Sequence, residues 1–575
     1  MPEPAQDHGK GALARRLWLG ALVLLLAVLK LAYSAAWSFP AGADGGYYTN
    51  IVQNLLAGHG LVTDVSLYHR AFREFPHADS IYPLWPLTYA AFAGIFPLEK
   101  VAVWLPTALY FCSLGAAYLW ARRLWPDDLF RRVPGLQAGH VLVLVLGLQT
   151  AYFLHTSRPY TEGLAYTLLF LWLWRVIPLL TRPGFKGGVE SGAWLGLLLL
   201  VRSQFVLVVA ALGLTLMIGA ALQRERRREL LLHGAGLAVG GVATLLPYLV
   251  YVATQTGMFS VGNYILFNET PADSPLSQLQ PYERPKGLAH LQVLAHGVAM
   301  AFAWSVQVSY RGSYHLFHYA LPVAALLGLL SILGAGPPRE LRARARALAW
   351  LREPGNTRRV LCALLAVLGF LSVQLLVKSH DRWYFHRRHN LVALPLFYFA
   401  LMALLRSRRL PVALLGGALL LGTAYLGVRR IAFEVYKAHR VTRVPPKASV
   451  VEWLRAEQAR LGRPLIVAAR SPQVMVWQLK DVHFHEVNLE ATTLDDVLIL
   501  FDQLGVDYLI SAEREGVRHR EPRARFQAEL EELTEVELGG PRVYRRRLAT
   551  GAADVRTLPP AFVGKGDMPD DADEP

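Results

Sequence analysis

Long apolar runs alternate along this chain with short blocks rich in arginine. A helix needs about 20 apolar residues to cross a bilayer, and the first run, Leu17 to Ala36, has that length and follows Arg15 and Arg16. Further runs of spanning length lie at 100–121, 138–154, 161–180, 204–222, 231–253, 316–335, 360–377, 389–405 and 411–428. A shorter run, 189–201, reads as a half-length or tilted helix. The basic blocks are Arg122/Arg123 with Arg131/Arg132, Arg182/Lys186, Arg224 with Arg226 to Arg228, Arg339 to Arg359, and Arg406 with Arg408/Arg409. All of them fall on one side, the cytoplasmic side by the positive-inside rule, if there are eleven spans and the N-terminus is inside. Two apolar segments, 81–96 and 290–308, break this alternation. Both read as interfacial or re-entrant helices on the outer side, where Tyr82, Trp85, Tyr89, Trp304 and Tyr310 form an aromatic belt.

The predicted architecture is an α-helical polytopic membrane protein of about eleven transmembrane helices with a small C-terminal α/β extracytoplasmic domain. Residues 1–16 form a cytoplasmic tail and 17–428 the membrane domain, with outer loops at 37–100 and 254–315. Residues 429–547 form the outer domain, and 548–575 turn to Gly, Pro and Asp and read as disordered. Within the outer domain, Val450 to Ala459 has an amphipathic helical pattern, with Ser449 and Glu452 spaced as a capping box. Pro464 to Ala469 and Tyr508 to Ser511 read as strands, with a helix between them at Leu494 to Leu504.

Composition supports the membrane reading. Of 575 residues, 53% are hydrophobic and 18% charged, against about 25% charged in a soluble globular chain. The net charge of +16 would suit nucleic acid, but its placement in blocks between apolar runs assigns it to topology. Cys112 and Cys362 both sit in apolar runs, which excludes a disulfide scaffold. No Walker, GxGxxG, HExxH or GxSxG motif is present.

Four segments carry candidate chemistry. Directly after the first span comes FPAGADGGYYTNIVQNLLAGHGLV, Phe39 to Val62, in which Tyr48, Ile51, Val52, Leu55 and Leu56 recur at helical spacing. Asp44 lies near the start of that helix, either as a plain N-cap or as an ionised carboxylate held by the helix dipole. The turn HTSRPYTEGL, His155 to Leu164, holds Arg158 and Glu162 four apart, the spacing of a helix-start ion pair. Arg202, in LLLLVRSQF, needs a partner or an anion at that depth. The segment KSHDRWYFHRRHN, Lys378 to Asn390, places Arg382, Arg387 and Arg388 outside, against the positive-inside rule. Such a cluster suits a phosphate, by bidentate guanidinium contacts, or lipid headgroups. His380, His386 and His389 have metal-binding chemistry, but the arginines around them would repel a cation. His483 and His485 share a face of a predicted strand without a third ligand in view.

Together these segments resemble the GT-C glycosyltransferases, membrane enzymes that use polyprenyl-phosphate sugars, and among them bacterial relatives of protein O-mannosyltransferase and of the lipid A aminoarabinose transferase. Asp44 with Tyr47/Tyr48 and NLLAGHGLV resembles the family's acidic residue on its first juxtamembrane helix. YPLWPLTYAAFAGIF from Tyr82 resembles its PPLYY segment, SRPYTEGL its second acidic loop, and RRHNLVALP its entry to a late span. The resemblance implies an inverting transfer from a polyprenyl-phosphate sugar to an acceptor hydroxyl on the outer face. Asp44 and Glu162 would be the catalytic acids. Arg388, Arg387, Arg382, Arg158 and Arg202 would bind the donor phosphate, and Tyr47, Tyr48, His59 and Tyr82 would line the sugar and acceptor pocket. Gly45 stands where a second acid would support a metal-dependent mechanism, so no cofactor or metal is expected. The expected partners are the lipid-linked sugar, a lipid, protein or glycan acceptor and membrane lipids, with no nucleic acid. The expected location is a bacterial plasma membrane, with the N-terminus inside and the C-terminal domain outside. A multi-span transporter or lipid flippase is the competing reading; inverted repeats and broken midplane helices, which mark such proteins, are not evident in the sequence.

Overall fold

The computed structural model describes residues 7–256, 402–441 and 447–547, with short stretches inside these left out, the longest being 67–74, 488–493, 512–524 and 534–541. The expected spans between 257 and 401, the 290–308 segment, the cluster with Arg382, Arg387 and Arg388, and the 548–575 tail lie outside the described residues.

Helix α1 (Asp7–Ala35) runs into a short helix, α2 (Ala43–Leu56). Helices α3 (Leu84–Ala93) and α4 (Leu98–Leu124) follow, then α5 (Ala138–Gly147), α6 (Thr150–His155), α7 (Glu162–Leu179), α8 (Phe185–Leu199), α9 (Val206–Leu222) and α10 (Arg227–Thr256). Helix α11 (Leu410–Val441) then leads towards the tail. Among the described residues four helices are long and apolar enough to cross a membrane: Leu13–Ala35, Leu98–Arg123, Arg224–Thr254 and Pro411–His439. The chain is a multi-pass membrane protein. Leu24, Val28, Leu414 and Leu421 are all exposed on α1 and α11, as side chains facing lipid would be. Trp85, Trp120, Trp172, Tyr110, Tyr152, Tyr166 and Phe170 fill the interior between helices.

The expected single span at 138–154 is broken. It ends at Gly147 and restarts at Thr150, where the Gln149 side chain accepts from the Tyr152 amide and caps the second piece. A polar side chain inside an apolar run is what divides it. The short run at 189–201 does form a 15-residue helix, α8, and small residues pack it on α10. A Cβ on Gly188 would fall on the His233 carbonyl, and one on Gly192 on that of Leu237. Both glycines let the two backbones touch, as in small-xxx-small contacts between membrane helices.

The tail forms helix α12 (Ala448–Leu461), strand β6 (Leu465–Ala469), helix α13 (Gln473–Val476), strand β7 (Val482–Glu486), helix α14 (Leu494–Leu504) and strands β8 (Tyr508–Ser511), β9 (Leu530–Glu532) and β10 (Arg542–Arg546). The expected capping box is not used. Lys447 occupies the N-cap with a left-handed φ of 58°, and Ser449 sits inside the first turn. The chain before β6 is short; further upstream, the first loop holds strands β1 (Val62–Thr63), β2 (Val65–Ser66) and β3 (His77–Ala78), and a hairpin β4 (Asp128–Phe130) and β5 (Val133–Gln137) follows α4. Strand β2 leaves its own neighbourhood and joins the tail. The six-stranded sheet has the order β2-β7-β6-β8-β10-β9, with β2, β7, β6 and β8 parallel and the last two joined antiparallel. Val65 sits opposite Phe484 in that register. Alternate residues face opposite layers, as strand geometry requires. Leu465, Val467 and Ala469 pack with Val450, Val451 and Leu454 of α12, while Ala468 packs with Leu494, Val497 and Phe501 of α14.

Candidate active site

Three glycines around Asp44 explain how the first loop is held. Gly42 is the N-cap of α2, with φ at 81°, a left-handed conformation that favours glycine. A Cβ there would fall on the Tyr160 hydroxyl and lie 3.3 Å from Nη1 of Arg158. One on Gly45 would be 3.0 Å from Pro159 Cγ, and one on Gly46 would fall on the backbone carbonyl of Gln473. Asp44 is therefore in the first turn of α2, half-buried, between the Arg158–Tyr160 turn on one side and helix α13 of the tail on the other. It is not the N-cap, a position that Gly42 holds.

The Arg158–Tyr160 turn is fixed from several directions. The Tyr160 amide donates to the Arg158 carbonyl at 2.7 Å, and the Trp85 indole donates to the Pro159 carbonyl at 3.0 Å. Arg158 Nη1 lies 3.4 Å from the Tyr160 hydroxyl, and the guanidinium sits 5.8 Å from that ring's centroid. The four-residue spacing of Arg158 and Glu162 suggested an ion pair between them. Glu162 instead pairs with Arg202, which also donates to Thr161 Oγ1 at 3.1 Å. Glu162 is buried and Arg202 nearly so. Such a pair costs much desolvation and is held by its extra hydrogen bonds. Arg202 reaches it because α8 ends just before it, and the Leu84 amide of α3 donates to Leu200 there at 3.1 Å. That bond ties the start of α3, two residues after Tyr82, to the end of α8, two residues before Arg202, and Tyr82 is half-buried.

Of the expected pocket residues, Tyr47 and Tyr48 follow Asp44 on α2 with ring centroids 5.7 Å apart. Tyr47 packs against the sheet's core and Tyr48 against the helical core. His59 is exposed beyond the far end of α2, with Nδ1 3.2 Å from Asn54 Oδ1. From Asp44, the second residue of α2, to the helix end at Leu56 is about 18 Å, and His59 lies beyond that end. The structure does not bring those two together. Among the described residues no group of three or more His, Cys, Asp or Glu side chains stands close enough to hold a metal ion.

Two charged residues went unnoticed in the sequence. Lys30 is completely buried within α1, and a lysine inside the apolar stretch LAVLKLAY was its only signal. Asp64 joins the first loop to the tail. Its Oδ2 accepts from Asn50 at 2.8 Å and Asn54 at 2.9 Å, and its Oδ1 lies 3.0 Å from His483 Nδ1. Burial pushes the Asp64 carboxyl up, but the bonds from His483, Asn50 and Asn54 outweigh it and hold the group below the usual carboxylate range. Phe75 stacks on the His483 ring at 4.9 Å. No spacing in the sequence links Asp64 to a histidine in the tail.

No protein-family model matches this sequence, and no curated protein sequence matches it. Its fold does match solved structures. The oligosaccharyltransferase of Archaeoglobus fulgidus, crystallised with a tethered acceptor peptide containing the NVT sequon, aligns with 92% of this chain and 74% of its own, at a TM-score of 0.50 and 11% identity. ArnT from Cupriavidus metallidurans bound to undecaprenyl phosphate aligns with 93% and 98% at a TM-score of 0.44 and 14% identity. The archaeal oligosaccharyltransferase AglB from Archaeoglobus fulgidus, in complex with an inhibitory peptide and a dolichol-phosphate, aligns with 85% and 69% at 0.47 and 10%. The first of these likenesses shows that the chain has a GT-C-like fold.

Proposed function

We infer that this chain is a membrane glycosyltransferase that moves a sugar from a polyprenyl-phosphate donor to an acceptor hydroxyl at the outer face of a bacterial plasma membrane. The observation that carries the reading is the placement of Asp44. It lies in the first turn of α2, after the first span, beside the turn that bears Arg158. A lipid-linked donor keeps its phosphate at the membrane interface, which is the level of this turn in the reading. Asp44 takes the proton of the acceptor hydroxyl as general base. The acceptor oxygen then forms a bond to the anomeric carbon as the bond from that carbon to the phosphate oxygen breaks, and the configuration inverts. The departing polyprenyl phosphate takes up negative charge, which Arg158 stabilises electrostatically together with Arg388, Arg387 and Arg382. Glu162 is assigned to holding Arg202 rather than to a second proton transfer, and Tyr47, Tyr48 and Tyr82 to the walls of the sugar pocket. The arginines supply the charge compensation, so the reaction is assigned no resident metal. The outer-facing sheet closes the site over α2, with the N-terminus inside.

The test is acceptor-dependent release of polyprenyl phosphate from a labelled polyprenyl-phosphate sugar by the purified chain in lipid nanodiscs. Asp44→Asn is expected to bind donor as the parent does and to lose transfer by roughly 10²–10⁴-fold, the typical loss for a positioned general base. Near-parental transfer in that variant would remove Asp44 from the chemistry.

A further inference from the structure

Lys30 lies within the first spanning helix with none of its surface exposed. Its Nζ has three hydrogen-bond acceptors: the Phe153 carbonyl at 2.9 Å, Ser157 Oγ at 2.6 Å and Thr156 Oγ1 at 3.3 Å. The hydroxyl protons of the last two are already used. Ser157 donates to the Phe153 carbonyl and Thr156 to the Tyr152 carbonyl, both at 2.5 Å. One nitrogen on α1 thus ties together three acceptors of a single short stretch of chain. The same nitrogen lies 4.0 Å from the centroid of the Tyr110 ring and 4.7 Å from that of Phe153, a cation–π arrangement. Among the described residues no carboxylate pairs with it.

What these bonds achieve is local. All three acceptors lie in Phe153–Ser157, the last turn of α6 and the two residues after it, and Arg158 is the next residue. Lys30 thus holds this stretch from inside the helical core. We propose that Lys30 is the positioning residue for Arg158: it pins the Phe153–Ser157 turn, and through it fixes the guanidinium that receives a phosphate ester. The phosphate ester rests on the reading of the function given above; the pin does not.

Two measurements on the full chain in nanodiscs test this. In the first, hydrogen exchange is followed in Lys30→Met, which keeps the side chain's length and removes the donors. Amides of 153–160 should exchange at least about tenfold faster, a loss of about 1.4 kcal/mol of local protection, while α4 and α7 keep theirs. Unchanged exchange at 153–160, or equal loosening of every helix, overturns the pin. In the second, binding of undecaprenyl phosphate is compared with that of undecaprenol. Lys30→Met should lose at least about tenfold in phosphate affinity with the alcohol unaffected, and combining it with Arg158→Ala should add little further loss, because coupled residues are not additive. Full additivity, or parental phosphate affinity in Lys30→Met, overturns the positioning role. A parental chain with no preference for the phosphate instead defeats the functional reading, and the exchange result still decides the pin. If Lys30→Met does not fold, Ser157→Ala removes one acceptor and should raise exchange at the same amides to a smaller extent; no change there overturns the proposal.

Discussion

His485 sets how the joint between the first loop and the tail responds to acid. It is completely buried in β7, and its Nε2 has no hydrogen-bond partner among the described residues. Burial, with a smaller push from the His483 charge, lowers it from an ordinary 6.5 to about 4. It is neutral when folded and takes a proton readily when unfolded. Between pH 6.5 and 4 the unfolded state therefore binds more protons, and stability falls as pH falls through that window, by about 3 kcal/mol in all. Asp64 has the depressed pKa of a hydrogen-bonded carboxylate. Its contribution is present above the ordinary carboxylate value and is lost only as pH drops below it. Thermal melts of the full chain at pH 7.5 and pH 5 should show the loss, and His485→Gln should flatten it. An unchanged slope in that variant would place the acid sensitivity elsewhere.

At the level of elements, the glycine contact between α8 and α10 should be the least tolerant of bulk. A side chain at Gly192 must enter the space of the Leu237 carbonyl, so Gly192→Leu should separate the helices and destabilise the chain by about 1–3 kcal/mol or more. Detergent-resistance melts would show it, and an unaltered midpoint would mean that the helices do not meet there. Much of this level was legible from local pattern. The 3.6-residue period marked α2 and α12, and the strands β6 and β8 lie within the segments read as strands, 464–469 and 508–511. What local pattern missed was decided at a distance. Glu162 had a cation four residues away and took one forty residues away, because α8 ends beside it. The Ser449–Glu452 spacing fits a capping box that would start the helix at Val450, yet it starts two residues earlier, at Ala448. The 138–154 run looked continuous because a single Gln is tolerable in a hydropathy window, although its side chain caps a new helix. Asp44 and the Arg158 turn were visible as chemistry; that glycines on both sides of Asp44 bring it to that turn was not.

For the whole molecule, the tail grips the helix that carries Asp44. Gly46 meets the Gln473 carbonyl, Gln53 donates to the Trp477 carbonyl at 2.9 Å, and Trp477 stacks on Phe39 with centroids 6.5 Å apart. These contacts give the tail the task of holding α2. A chain ending after Val441 should therefore insert in the membrane and lose transfer together with hydrogen-exchange protection in α2. Retention of both transfer and that protection would show that α2 stands alone.

The parallel pairing of Val65 with Phe484 also imposes an order in time. The ribosome makes β2 first and its partner 419 residues later, a delay of roughly 20–80 s at about 5–20 residues per second. Throughout that interval β2 is a strand edge without its neighbour, outside the tail sheet it will complete. Its brevity, two residues, protects it, since a short edge offers little to a stray strand. Strands β6, β7 and β8 are close in sequence and can assemble among themselves, so β2 docks onto an existing edge as a late step. The sheet thus closes only after the intervening chain has been synthesised, and a nascent chain stalled before Phe484 would leave β2 without its partner strand.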